Sequence, residues 1–318
     1  MLTSTDAPAP VRQARPSYRP FTVSVAAIRQ LSDTFTRVTF TGAELYDFGT
    51  AGLDQRVKLI LPLPGVGISA LPEDESWYAA WRELPDSHRN PIRTYTVRSV
   101  RPADREIDID FVAHGDTGPA SRWVRRAVVG DELVIVGPDA LGPNPRSGIE
   151  WRPGDARSVL LAGDETAAPA ICAILAALPR DARGCAFIEV PDERDAMETG
   201  APDGVQVTWL ARAKAALHHE SSTHEAHGSA LESAVRAWTT RSVTTAQRGA
   251  EIADVDIEND ILWEVPEATT HGSDLYAWLA GEAGVIKTLR RFLVSETGID
   301  RRQVAFMGYW RSGRAEAN

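Results

Sequence analysis

The sequence predicts two domains in tandem, an antiparallel β-barrel followed by a parallel-sheet α/β domain. The first half carries six short strand-like runs bounded by Gly, Pro and Asp turns, the composition of a small barrel. From about Arg157 strands alternate with helices, which implies a parallel sheet covered on both faces. Between them Trp151 to Ala156 forms a Pro- and Gly-containing linker, and a chain of 318 residues fits about two domains. The expected organisation is a disordered N-terminus over residues 1–19, a barrel over 20–153 and an α/β domain over 154–318.

In the barrel half the strands are expected at Phe21 to Ile28, Thr34 to Thr41, Arg56 to Pro62, Ile92 to Val100, Glu106 to Val112 and Glu132 to Val136, with one helix from Gly118 to Ala127. Pro64 to Pro91, with Trp77, Tyr78 and Trp81, interrupts the pattern as a long loop with some helical turn. The second half opens with the aliphatic run Ser158 to Ala162 feeding Gly163, then an alanine-rich helix from Thr166 to Leu178. Strands follow at Cys185 to Val190, Val205 to Leu210, Ser273 to Ala280 and Gln303 to Met307, with a helix from Ala283 to Ser295. Residues 212–260 read as a flexible insertion holding one amphipathic helix near Leu231 to Thr239.

Composition narrows the function classes. A net charge of -10 argues against a nucleic-acid partner, because phosphate neutralisation needs a basic surface. No apolar run approaches the roughly 20 residues of a spanning helix, and Met1 to Pro20 lacks a hydrophobic signal core, so a cytoplasmic protein is expected. Cys172 and Cys185 are the only cysteines. A disulfide framework and a cysteine-ligated iron–sulfur cluster are therefore excluded, and one-electron chemistry has to come from an organic cofactor or the substrate. His218, His219, His224 and His227 superficially suit a metal, but their Ser, Thr, Gly and Ala neighbours read as a solvated linker, and no metal site is expected.

The most informative stretch is Arg93-Thr94-Tyr95-Thr96-Val97-Arg98. At the two-residue strand period Thr94, Thr96 and Arg98 share one face, and Arg93, Tyr95 and Val97 the other. Both faces carry polar side chains, whereas a structural strand reserves one for aliphatics. The pattern Arg-x-Tyr-Thr-x-Arg resembles the flavin strand of ferredoxin-reductase-like flavoproteins, in the form used by the siderophore-interacting protein family. Three further stretches fit in register: Asp110 to Gly115 with Gly118 to Trp123, Ala162 to Thr166, and Gly308 to Gly313.

The resemblance implies an FAD-dependent ferric-siderophore reductase. Arg93 would bind the flavin pyrophosphate, Tyr95 would pack on the ring system and Thr96 would lie at the redox-active edge, making Tyr95 and Thr96 the catalytic pair. Guanidinium forks suit phosphate, and an aromatic with a polar tip suits a tricyclic ring. Val97, Asp110, Phe111 and His114 complete the expected flavin contacts, while Arg98 is open between a cofactor contact and an ion pair. Gly118, Ala120 and Ser121 open a helix whose amide groups would hold the diphosphate, with Ser121 as a simple cap the plainer reading. Gly163, Asp164 and Thr166, and again Gly281 and Glu282, follow a strand and start a helix, where open α/β sheets bind ligands. By resemblance these turns hold NADPH or NADH. Which of the two is open: Glu189 to Asp192 is acidic, and Arg212 or Arg194 would supply charge for a 2′-phosphate. Trp310 would cover the flavin face or pack the domain interface, and Lys58 and Arg311 would meet the anionic ferric chelate.

Hydride would pass from nicotinamide to flavin, and single electrons from flavin to chelated Fe(III), releasing Fe(II). A ferredoxin is a possible partner under the alternative of a general flavin reductase or diaphorase. A non-catalytic siderophore-binding module is the remaining alternative, against which the nicotinamide turn weighs.

Overall fold

The computed structural model describes residues 15–49, 51–69, 71, 77–113, 118–212, 227–242, 254–257, 260–267 and 274–313. Its N-terminal part is a closed six-stranded antiparallel barrel built from β1 (Tyr18–Gln30), β2 (Phe35–Thr41), β3 (Arg56–Ile60), β4 (Ile92–Arg101), β5 (Glu106–Val112) and β6 (Glu132–Pro138). Going round, the order is β1-β2-β5-β4-β3-β6. Alternation along each strand sends Phe21, Val23, Val38, Phe40, Val57, Leu59, Ile107 and Ile109 inward, where they are buried. The segment after β3 folds back over the outer face of the barrel. Its short helix α1 (Trp77–Glu83) buries Trp81, whose indole donates to the Asn90 carbonyl, and Asn90 Nδ2 in turn donates to the carbonyls of Leu61 and Gly67.

The second part is a six-stranded sheet in the order β10-β12-β11-β7-β8-β9. Its strands are β7 (Ser158–Gly163), β8 (Arg183–Val190), β9 (Val205–Ala211), β10 (Trp263–Glu264), β11 (Leu275–Glu282) and β12 (Val304–Trp310). All pairings are parallel except β10 on β12. That antiparallel edge makes the sheet mixed where an all-parallel one was expected, because two residues ahead of Pro266 show no alternation to read. Helices α3 (Ala168–Ala177), α4 (Ser229–Ser242) and α5 (Ala283–Arg290) cover it, and α5 runs on as a π-helical segment, Arg291–Glu296. The amphipathic helix expected near Leu231 is α4, which buries Leu231, Val235 and Thr239. No helix among the described residues is long and apolar enough to cross a membrane.

Helix α3 is apolar all round, Ala168 through Leu175 being buried. A helix of that kind is covered on every side; α3 lies between the sheet and barrel strand β4. The seam has two carboxylate pins. Asp54, fully buried, accepts from the Glu150 and Trp151 amides and from the Trp278 indole, at 3.1 to 3.2 Å. Burial pushes its carboxyl up, and those donors oppose the shift. Asp195 accepts from Ser32 Oγ at 2.5 Å and Thr34 Oγ1 at 2.8 Å. Both cysteines are free and buried, Cys172 on α3 and Cys185 on β8.

Candidate active site

Strand β4 is the seam strand. Register pairs Lys58 with Thr94, Val57 with Tyr95 and Arg56 with Thr96, so Tyr95 shares the inward face of Val57 and Thr96 the outward one of Arg56. The Tyr95 ring lies 4.6 Å from that of Phe111, which is fully buried and packs at a tilt 5.6 Å from Trp123. Thr96 is 6% exposed and Val97 1%. A bulge between Val97 and Ser99 leaves Arg98 without a ladder partner on β5, and its guanidinium lies 3.7 Å from Asp110.

Three of the expected flavin contacts, Phe111, Val97 and Asp110, are engaged elsewhere. Phe111 has no exposed surface and can reach a ligand only through Tyr95. Val97 belongs to the barrel core, and its amide donates to Gln55. The Asp110 carboxylate takes a two-pronged guanidinium from Arg37, at 2.7 and 2.8 Å. Arg93 donates Nη1 to its neighbour's carbonyl, Ile92. His114 lies outside the described residues, as do His218, His219 and His224.

The helix expected after Gly118 is α2 (Pro119–Val124), shorter than Gly118 to Ala127. Gly118 is its N-cap and supplies no side-chain acceptor, and a Cβ there would meet nothing within 4 Å. The first turn, with Ala120 and Ser121, is therefore left without a side-chain cap, and space beside Gly118 offers a cradle that fits a diphosphate. Together with the half-buried Tyr95 ring and the adjacent Thr96, this donor set fits a flavin dinucleotide.

The second half of the site lies where strand order reverses, between β7 and β11, the position at which open α/β sheets bind ligands. Asp164, only 2% exposed, is its organising acceptor. Oδ1 accepts from the Thr166 amide at 2.9 Å and hydroxyl at 2.5 Å. Oδ2 accepts from the Glu282 amide at 2.9 Å, the Trp310 indole at 2.8 Å and His227 Nε2 at 3.1 Å. Burial alone would push this carboxyl up, but the donors from His227, Thr166 and Trp310 hold it below the usual carboxylate range. Gly281 explains itself here, since a Cβ would stand 2.7 Å from Asp164 Oδ2. Gly163 is similarly confined by Ala167 and the Ala280 carbonyl. The Glu282 carboxylate caps α5 through the Gly284 and Val285 amides and also accepts from Ser312 N.

Beside this hub Arg212 donates to both oxygens of Glu165, at 2.7 and 2.8 Å, and approaches Glu189 at 3.3 Å. Arg194, the other cation expected near a 2′-phosphate, pairs with Asp192 and Asp33. Tyr309 stacks on Trp263 at 5.9 Å, and the Arg56 guanidinium lies over that indole at 4.3 Å. Among the described residues the Tyr309 hydroxyl is enclosed without a hydrogen-bond partner, and burial pushes its pKa well up. Lys58 donates to Thr94 Oγ1 at 2.7 Å and lines a cavity of about 160 Å³ with Tyr18, Arg56 and Gly148. Arg311 donates to the Ile257 carbonyl.

Residues 24–141 match a family model described as the siderophore-interacting FAD-binding domain, and residues 156–313 match that of the siderophore-interacting protein. The chain belongs to the siderophore-interacting protein family. Among its relatives, the ferric vibriobactin reductase ViuB of Vibrio cholerae is 30% identical over 289 residues, 91% of this chain and 88% of that one. The uncharacterized protein Rv2895c of Mycobacterium tuberculosis is 33% identical over 297 residues, 92% of this chain and 90% of its own. The crystal structure of the siderophore-interacting protein SipS from Aeromonas hydrophila superposes with a TM-score of 0.63 at 28% identity, over 94% of each chain. A ferredoxin reductase of carbazole 1,9a-dioxygenase, at 18% identity and a TM-score of 0.54, shares the fold.

Within this siderophore-interacting protein, three engaged residues escape a reading of the sequence. Asp54 belongs to no motif, and its donors come from positions far along the chain. Tyr309 lies within the Gly308 to Gly313 stretch, where nothing in the sequence marks its hydroxyl as enclosed. His227, expected in a solvated linker, instead docks on Asp164 and sets its ring edge-on to Trp310 at 5.0 Å. Its polar neighbours concealed this, and the only available signal was Gly228 followed by a helix.

Proposed function

We propose that this protein is an FAD-dependent ferric-siderophore reductase that draws its electrons from NADPH or NADH. The observation that carries the proposal is the seam: α3, which starts two residues after Thr166, packs across β4, which carries Tyr95 and Thr96. The flavin strand and the nucleotide turn thus meet at one domain junction, as a hydride transfer between two bound cofactors requires. The reductase activity named for the vibriobactin and acinetobactin relatives supports the substrate class.

When bound, FAD supplies a carrier able to accept two electrons from a nicotinamide and release them one at a time. The chain's own residues orient and bind. Arg93 and the first turn of α2 hold the diphosphate, and Tyr95 supports the ring against Phe111 and Trp123. Thr96, nearly buried on the seam strand β4, offers a hydroxyl at the reacting edge and keeps water out. Trp310, anchored through its indole to Asp164, bounds the nicotinamide side. Lys58 and Arg56, on the outward face of β3, meet the anionic chelate. Reduction weakens the grip of hard oxygen donors on iron, so the metal is released.

The test is an anaerobic visible spectrum of the protein with bound FAD, first with NADPH or NADH and then with a ferric chelate. Bleaching by the nucleotide and recovery with the chelate is the expected result. Recovery with a ferredoxin but with no ferric chelate would replace the substrate assignment. Failure to bind FAD would overturn the reading altogether.

A further inference from the structure

The amides that ordinarily hold an anion at a sheet's switch point are already spent in this chain. Those of Thr166 and Glu282 go to Asp164, those of Gly284 and Val285 to Glu282, and those of Gly228 and Leu231 to Glu189. The Thr166 hydroxyl is spent on Asp164 as well. Four carboxylates, Asp164, Glu165, Glu189 and Glu282, crowd this edge, and Arg212 is shared between two of them. A nucleotide diphosphate arriving here meets an acidic rim whose main-chain donors are occupied.

We propose that the imidazolium of His227 is the anion-binding residue for the nucleotide diphosphate at the β7/β11 switch point, and that its proton gates nucleotide binding. The proposal rests on the nicotinamide-dependent reading given above. An ionised Asp164 requires His227 Nε2 to carry a hydrogen, so that nitrogen is a donor at every relevant pH. Among the described residues Nδ1 has no hydrogen-bond partner, and the side chain is 24% exposed. In neutral imidazole Nδ1 presents a lone pair, which repels phosphate. In imidazolium it presents an N–H and a positive charge. One proton therefore converts the group from repelling to binding an anion while the Asp164 tether stays in place.

The charged groups around His227 set when this happens. Burial lowers its affinity for a proton, whereas Asp164, by hydrogen bond and charge, and Glu165 raise it, against opposition from Arg212, leaving the imidazole above its ordinary 6.5. Glu189 and Glu282 stand at the ends of β8 and β11, Glu232 lies in the first turn of α4, and Lys287 on α5 is paired with Asp254. Of the side-chain types gathered here, imidazole is the one that ordinarily changes charge between pH 5 and 8.

The experiment is calorimetric binding of ADP-ribose, which carries the diphosphate without the redox ring, to the FAD-loaded protein and to His227→Gln. Titrations are run from about pH 6 to about pH 9, in buffers of different ionisation enthalpy. Wild type is expected to bind about tenfold more weakly at the alkaline end, the worth of one charge-assisted hydrogen bond, and to take up a proton on binding. The variant is expected to show neither, and adenosine to show no pH dependence with either protein. Proton uptake by wild type alone decides the matter if the variant does not fold. A flat profile without proton uptake, or the same profile in His227→Gln, overturns the inference. So does nucleotide bleaching of the flavin without ADP-ribose binding. If nicotinamide nucleotides neither bind nor bleach the flavin, it is the reductase reading itself that has failed.

Discussion

At the scale of single residues, Asp164 concentrates more of the site than any other side chain, with five donors on one carboxylate. Removing it in Asp164→Ala strands part-buried donors from four chain segments, those of Thr166, His227, Glu282 and Trp310. The expected loss in urea unfolding is about 3 kcal/mol or more. Its depressed pKa contributes stability above the ordinary 3.8 that is lost as pH falls through the folded value. The raised pKa of His227 contributes stability that is complete below 6.5 and is lost as pH rises through the folded value. Coupling between the two, measured by a double-mutant cycle of Asp164→Asn and His227→Gln, is therefore expected to be about 1–2 kcal/mol near pH 6 and smaller near pH 9. Equal coupling at both pH values would show that the imidazolium form adds nothing. Tyr309→Phe makes the opposite kind of prediction. Because the hydroxyl is enclosed and unpartnered among the described residues, its removal is expected to leave the melting temperature unchanged or raised, where a bonded tyrosine would show a fall.

At the scale of elements, legibility followed periodicity. β5 runs over Glu106–Val112 as its alternation predicts, and the alanine-rich α3 lies inside the predicted Thr166 to Leu178. β1 and β12 outrun their predicted ends, because their extra residues are set by pairing, Tyr18 with Pro138 and Glu282 with Trp310, and partners are invisible in a local window. In β4 the strand motif was readable as residue types, but which of its side chains keep exposed surface depended on Phe111, Asp110 and α3, all brought in from elsewhere. The same holds for Asp54, whose loop acquires meaning only when Trp151 and Trp278 arrive beside it. Asp54→Ala is expected to loosen the two domains from each other. Unfolding followed by intrinsic fluorescence, which reports the seam tryptophans, should then separate from unfolding followed by barrel circular dichroism. Coincident curves would assign the pin no role in joining the domains.

Across the whole molecule, the barrel and the sheet share a buried boundary in which Phe35 and Trp151 pack into the same core as α3 and β11. Such a boundary makes one cooperative unit of two domains. Both cysteines sit within that unit, and burial pushes Cys172 up to about 11 and Cys185 up to about 12. Since only the thiolate is nucleophilic, the native chain should be inert to alkylating reagents at neutral pH. Cys172, on α3 beside the barrel residues Arg98, Asp110 and Arg37, thus forms a built-in clock: each molecule labelled there by iodoacetamide is one that has opened, and the rate of that labelling reads how often the seam comes apart.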